Sequence, residues 1–373
     1  MSLRRILSLA LKDLLHLRHD WWLPAFMLLG GALELLLVGW ATSRPITNLP
    51  LMVLDHDRSS ESRSLVTAIL NTGTFALEEY APDEETIWEA LARGTINAAV
   101  IVPPDYAEQI ARGQPSVSVL LNGAESVPAT AALWAIEGVG TELGLRIALE
   151  RMGIDPDEVQ GFLPSLRVWF NESLSEAYYT TPAELGLMLA FTVLLFAALS
   201  FSRERELGTL EQLLVMPYSS LELIIGKSIP VIAIGFIDFF LMLGVVHFAF
   251  GVPIRGSLFL LGFLAMGYIL VELGKGMVIS VISRTQHQAF LLVMLVVMVD
   301  FMFTGYAAPV ESMPIALQQV ANIIPAHHWL EILRGILLKA SDIRVLLPQV
   351  LALIALGLVI GTLSFRYVRR ALI

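Results

Sequence analysis

Five ionisable residues interrupt long apolar runs in this chain: Glu34, Asp238, Glu272, Lys275 and Asp300. An ionised group at bilayer depth costs about 2.5–3.5 kcal/mol on insertion scales, so such residues face a bundle interior or water. Glu272 and Lys275 stand three apart, on one face of a helix, and can neutralise each other. Asp238, Asp300 and Glu34 have no local partner. They could line a substrate path, carry protons, or meet a cation on a second subunit. A proton-coupled carrier is therefore one reading.

Other chemistry is thinly represented. His56, flanked by Asp55 and Asp57, has no second His near it, and a metal usually needs three or four ligands. A turn after a strand explains this trio equally well. His327 and His328 are adjacent, so on a helix they diverge by about 100° and make poor co-ligands. There is no Gly-x-x-x-x-Gly-Lys-[Ser/Thr], no Gly-x-Ser-x-Gly and no His-Glu-x-x-His. The absence of Cys excludes disulfides and thiolate metal sites. Catalysis, a metal site and a cofactor bound by this chain are not expected.

The elements that position these residues are membrane helices. The chain has 373 residues, 56% of them hydrophobic, with a mean hydropathy of +0.70. Runs near the 20 or so residues needed to span a bilayer are Trp22–Ala41, Ala183–Phe201, Ile229–Phe250, Leu258–Ile282, Ala289–Ala308 and Leu346–Phe365. The first exceeds the 7–15 residues of a signal-peptide core and is expected to remain as a span. One set of ends carries Arg4, Arg5, Lys12, Arg18, Arg203, Arg205, Lys227, Arg284, Arg366, Arg369 and Arg370. Basic residues concentrate in the cytoplasm. Both termini are then cytoplasmic. Before the first run, Leu3, Ile6, Leu7, Ala10, Leu14, Leu17 and Trp21 recur at helical spacing opposite Arg5, Ser8, Lys12, His16 and His19. Residues 1–21 form an amphipathic helix, either an interfacial anchor or a docking surface.

Residues 44–182 are the largest segment outside the spans and fall on the outer side. They hold 20 Asp/Glu against 8 Arg and no Lys, which argues against nucleic acid as a partner. Strands are read at Leu51–Asp55, Ile96–Val102, Val117–Leu121 and Leu166–Phe170. Helices are read at Ser59–Asn71, from Asp83 to Gly94, from Pro104 to Gly113 and over Ala129–Met152. Asp155, Pro156 and Glu158 have the spacing of a further helix start. The alternation suggests a small α/β domain. The fold class is thus membrane α-helical, with six spans and this domain inserted between the first and second. Two short helices, Val310–Pro325 and Ala326–Gly335, lie between the fifth and sixth as re-entrant or surface elements.

Between the second and third spans lies a charged island, 202–222. Arg203–Val215 is read as one helix that Pro217 ends. Leu207, Leu210, Leu213 and Leu214 give it an apolar face, and Glu204, Glu206 and Glu211 a polar one. Ser219 and Glu222 have capping-box spacing and open the next helix.

The run Arg-Glu-Arg-Glu-Leu-Gly-Thr-Leu-Glu-Gln-Leu-Leu-Val-Met-Pro at 203–217 resembles the signature of type-2 ABC exporter permeases. Gly251-Val-Pro-Ile-Arg-Gly-Ser, Ile279-Ser-Val-Ile-Ser-Arg-Thr-Gln, Glu311-Ser-Met-Pro and Leu330-Glu-Ile-Leu-Arg-Gly-Ile agree with it. The first span followed by a large insert is similar to the YhhJ/YbhS/YbhR-like branch of bacterial inner-membrane permeases. Where that branch often shows Gly-Phe-x-Phe-Pro, this chain has Gly305-Tyr-Ala-Ala-Pro.

The resemblance implies an exporter permease for a hydrophobic or amphipathic small molecule. Its partners would be a separate ATPase subunit, which binds the ATP and Mg, a second permease copy or paralogue, and a periplasmic adaptor. It implies that Arg203, Glu204, Arg205, Glu206, Gly208, Thr209, Glu211, Met216 and Pro217 couple to the ATPase. It also implies that Glu311, Met313, Pro314 and Pro325 belong to an outer gate. The alternatives are the proton-coupled carrier and a non-transporting anchor or assembly factor.

Overall fold

The computed structural model describes residues 2–42, 46–155, 169–172 and 174–371. The chain opens with α1 (Leu3–His19) and α2 (Trp22–Thr42). It then runs through β1 (Leu49–Asp55), α3 (Ser60–Asn71), β2 (Phe75–Tyr80), α4 (Glu84–Arg93), β3 (Ala98–Val102), α5 (Tyr106–Arg112), β4 (Ser118–Leu121) and α6 (Ser126–Arg151). The elements described from residue 177 on are helices: α7 (Ala177–Glu206), α8 (Leu210–Val215), α9 (Ser220–Phe250), α10 (Leu258–Ile282), α11 (Gln286–Phe303), α12 (Ile315–Ala321), α13 (Pro325–Lys339) and α14 (Ile343–Ala371). Two compact units result, one of residues 45–167 and one of residues 1–44 with 168–373.

The smaller unit is a four-stranded sheet in the order β2-β1-β3-β4. Its central strand β1 pairs in parallel with β2 and β3, and β4 closes the edge antiparallel. A parallel centre must be covered on both faces, so its strand reads as a continuous apolar run. Leu51 and Val53 pack with Leu65, Val66 and Ile69 of α3 on one face. Met52 and Leu54 pack with Ile87 and Ala90 of α4 on the other. Ser59 caps α3 by accepting from the Ser62 amide, and Asp83 caps α4 by accepting from the Thr86 amide. Asp55 accepts from the amides of Asp57 and Arg58 and from the Ser62 hydroxyl, the hydrogen bonding of a turn.

β2 is an addition to the strands read from sequence. Only Phe75 at its start is buried, and Glu78 and Glu79 disguise it. Of the helix start read at Asp155–Glu158, only Asp155 is described, and it is not helical; residues 156–158 and most of the strand at 166–170 lie outside the described residues, and Trp169 and Phe170 are not in a strand.

The larger unit is a helical bundle. Six of its helices, α2, α7, α9, α10, α11 and α14, are long and apolar enough to cross a membrane. α7 is the most enclosed of them and lies at the centre. Leu185, Leu189, Leu194 and Ala197 of α7 share one core with Phe239 and Met242 of α9, Tyr268 of α10 and Trp329 and Leu333 of α13. Close approach is bought by small residues: a Cβ on Gly276 of α10 would stand 2.8 Å from the Leu194 carbonyl oxygen of α7.

Two readings need correction at the far end of this unit. The fifth apolar helix stops at Phe303 rather than Ala308, because the chain turns at Gly305 with φ +83°. The single helix expected over Val310–Pro325 is divided into a 3-10 turn, Val310–Ser312, and α12, with Met313 and Pro314 extended between them. Pro314 has no N–H to continue a helix and sits at the start of α12 instead. α13 opens with Pro325 and buries Trp329, Leu330, Ile332, Leu333, Ile336 and Leu337, so it packs as core.

Candidate functional site: an elbow at one end of the bundle

The charged island forms an elbow between α7 and α9. α7 runs on through Glu206, so Arg203–Glu206 are its last turn and not part of a separate helix. Gly208, with φ +70°, turns the chain, and only Leu210–Val215 form the short helix α8. The single helix expected over Arg203–Val215 is therefore two. The physical reason is the glycine: a left-handed residue ends α7 there, and the Thr209 amide donates back to the Glu204 carbonyl.

Each of the four charged residues then ties α7 to a different element. Arg203 pairs with Asp20 at the α1–α2 junction. Glu204 accepts from Lys12 of α1 at 2.7 Å and lies 3.5 Å from Lys227 of α9. The Thr209 hydroxyl also donates to it. Arg205 donates to the carbonyls of Val281 and Ser283, where α10 ends, at 2.8 and 2.5 Å. Glu206 accepts from the Gln286 amide, where α11 begins, at 2.7 Å. Glu204, on the polar face of the segment in the sequence, is buried, because two ammonium groups and a hydroxyl converge on it.

Lys227 is the second half of this arrangement. It is 2% exposed and donates to the Ser200 carbonyl at 2.9 Å and to Asp13 at 3.3 Å. Its ammonium stands 5.2 Å from the centre of the Phe201 ring. α1 is thus held along its length. The Ser2 amide donates to Glu222 at 2.6 Å, and Arg5 donates to the Pro217 carbonyl at 2.6 Å. Ser219 and Glu222 form the expected capping box at the start of α9. Leu9 of α1, Leu213 of α8 and Leu223 of α9 make a small core beneath the elbow. The hydrogen bond and charge from Arg203 hold the Asp20 carboxyl below its usual value. What the elbow leaves outward is Leu207, Glu211, Val215, Met216 and Pro217, with Val215 87% exposed.

The five residues within the apolar runs do not form one site. Lys275 lies 2.8 Å from both Glu272 and Asp300, so Asp300 has a partner that the local sequence does not reveal. Asp238 is fully buried, with Thr192 beside its carboxyl and no cation paired with it among the described residues. Glu34 is exposed on α2. Near it lies Glu184 of α7, a buried carboxylate facing the Tyr306 hydroxyl, which the sequence reading overlooked. Its position at the edge of an apolar run was the available signal.

At the opposite end from the elbow, Arg334 of α13 donates to the Tyr179 carbonyl at 2.9 Å and lies over the Tyr179 ring at 3.9 Å. The Tyr179 hydroxyl donates to the Gly305 carbonyl at 2.8 Å. This clasp joins α7, the turn after α11, and α13. Of the residues expected nearby, Pro325 is buried, while Glu311 and Pro314 are exposed. The Met313 carbonyl accepts from Gln318 at 2.8 Å. His328 bonds Gln349 and the Asn322 carbonyl, at 2.5 and 2.8 Å, in packing contacts.

Comparison with known proteins covers nearly the whole chain. The family model for ABC-2 family transporter proteins matches residues 21–366. The chain is similar to a probable multidrug ABC transporter permease, YbhR, of Escherichia coli K12, with 25% identity over 367 residues and 98% of each chain covered. It is similar to a second such permease of that organism, YbhS, with 27% identity over 383 residues, covering 100% of this chain and 98% of the relative. The inner membrane transport permease YhhJ is 27% identical over 377 residues, covering 98% and 97%.

Proposed function

Because this chain belongs to the ABC-2 family of transporter proteins, we propose that it is the six-span permease subunit of an exporter driven by a separate ATPase. On this reading the elbow and both termini are cytoplasmic, in a bacterial inner membrane, and the acidic α/β unit is outside. The observation that carries the proposal is the set of ties made by Arg203, Glu204, Arg205 and Glu206. A displacement of α8 acts on the end of α7, and through it on α1, α9, α10 and α11 together. That is what a rigid-body switch between inward- and outward-facing states requires. Glu211, Val215 and Met216 are the outward residues that a partner would press. ATP and Mg belong to that partner.

The substrate we propose is a hydrophobic or amphipathic small molecule, the class suggested by the names of the multidrug relatives. A second permease copy or paralogue completes the path, and a periplasmic adaptor is a further partner. The proton-carrier reading loses Asp300, since Lys275 neutralises it. Inverted membrane vesicles test the proposal. Vesicles containing this chain and its ATPase should accumulate an amphipathic dye only when ATP is added. Accumulation driven by a pH gradient, without the ATPase, would overturn it.

A further inference from the structure

α1 has two apolar faces, and only one is covered. Ile6, Leu9 and Ala10 are buried against the bundle. On the other side Leu3, Leu7, Leu11 and Leu14 are 71%, 53%, 58% and 40% exposed. At about 100° per residue these four fall within an arc of roughly 80°. Arg4 and Arg18 fall on or beside the same arc, about 21 Å apart at helical rise.

The charges of α1 are sorted in the same way. Lys12, Asp13 and Arg5 are engaged inward, by Glu204, Lys227 and the Pro217 carbonyl, and Asp20, just beyond the helix, is engaged by Arg203. Arg4 and Arg18 are exposed and have no ion-pair partner among the described residues. The outward face therefore presents leucine and positive charge, with no carboxylate. Its height is also set. α2 is apolar enough to cross a membrane and begins at Trp22, with two residues between it and the end of α1. Trp21 and Trp22 are 64% and 68% exposed at that join, where aromatic residues mark a membrane–water interface.

We propose that the outward face of α1 is a recognition surface for anionic phospholipid headgroups. The leucines sit among the upper acyl chains, and Arg4 and Arg18 each engage a headgroup phosphate. This rests on the reading of α2 as a membrane span. The opposite face of α1 grips Glu204, Glu222 and Lys227, so the lipid bears on the same elbow that the ATPase is proposed to move.

The chain has no Cys, so Leu11→Cys gives a single labelling site. The full chain, labelled there with a fluorophore, is reconstituted in phosphatidylcholine vesicles. Each preparation contains either brominated phosphatidylglycerol or brominated phosphatidylcholine, at equal mole fraction. The anionic lipid should quench more strongly, with a local preference of about fivefold per arginine. Arg4→Gln with Arg18→Gln should bring the two lipids to parity, and Arg4→Lys with Arg18→Lys should keep most of the preference. Equal quenching in the unsubstituted background overturns the proposal. A preference that survives the glutamine pair overturns the assignment to these residues. No quenching by either lipid also overturns the proposal, since the stripe then does not meet the bilayer. The readout needs neither ATPase nor transport, so its failure is separate from failure of the exporter reading.

Discussion

The Lys12 ammonium stands 2.7 Å from the Glu204 carboxylate, although 192 residues separate the two in sequence. The bond joins the first helix of the chain to the last turn of α7. Lys227 approaches the same oxygen from α9. One carboxylate thus holds three helices in register at the elbow.

Removing one member of a buried ion cluster leaves the rest uncompensated, typically at a cost of about 3–5 kcal/mol. Glu204→Gln should therefore lower the melting temperature by several degrees. Glu204→Gln combined with Lys227→Met should cost less than the sum of the two single losses, because the second change removes a charge that the first leaves uncompensated. Thermal denaturation of the single and double variants checks this. Additive losses would show that the two residues do not act as a pair.

Lys275 is predicted to behave similarly within the bundle. Lys275→Met strands Glu272 and Asp300 beside each other, and a loss of about 3 kcal/mol or more is expected. Adding Glu272→Gln and Asp300→Asn should restore stability. The triple variant melting no higher than Lys275→Met would contradict the triad.

Two glycines separate turning from packing. A Cβ on Gly208 meets nothing within 4 Å, so Gly208→Ala costs only its left-handed backbone, about 1–2 kcal/mol. Gly208→Asn should cost less. A Cβ on Gly226 would stand 2.7 Å from a Leu9 methyl, so Gly226→Val should push α1 away from α9. Limited proteolysis should then cut within α1 in the Gly226 variant and not in the Gly208 variant.

The Asp20–Arg203 pair gives a pH dependence. Arg203 depresses the folded-state value of Asp20. The stabilisation is thus present above the ordinary value of 3.8 and lost as pH falls through the lower folded value. Asp20 should titrate below 3.8 in the intact protein and return towards it in Arg203→Gln, as followed by carboxylate infrared absorption.

Hydropathy alone indicates the six long helices, because each must present some 20 apolar residues whatever its neighbours are. The caps at Ser59, Asp83 and Ser219 are legible for a similar reason: they are local hydrogen bonds set by spacing. The elbow is legible as an island of charge and not as a joint. Its partners come from α1, α10 and α11, and no local pattern links Lys12 to Glu204 or Asp300 to Lys275. The break in Arg203–Val215 turned on Gly208, which amphipathic spacing across it masked. β2 escaped notice because an edge strand with one buried residue has little apolar signal.

On the proposed function, an ATPase acts through the outward side of α8. Glu206→Lys would be ambiguous, since Glu206 also holds the Gln286 amide. Glu211 is exposed and is the cleaner site. The deciding measurement is ATP-dependent dye transport by proteoliposomes that contain the partner ATPase and the Glu211→Lys chain. At least a tenfold loss of transport is expected, about 1.4 kcal/mol of coupling, with an unchanged melting temperature. Transport and ATPase stimulation equal to the unsubstituted chain would contradict it.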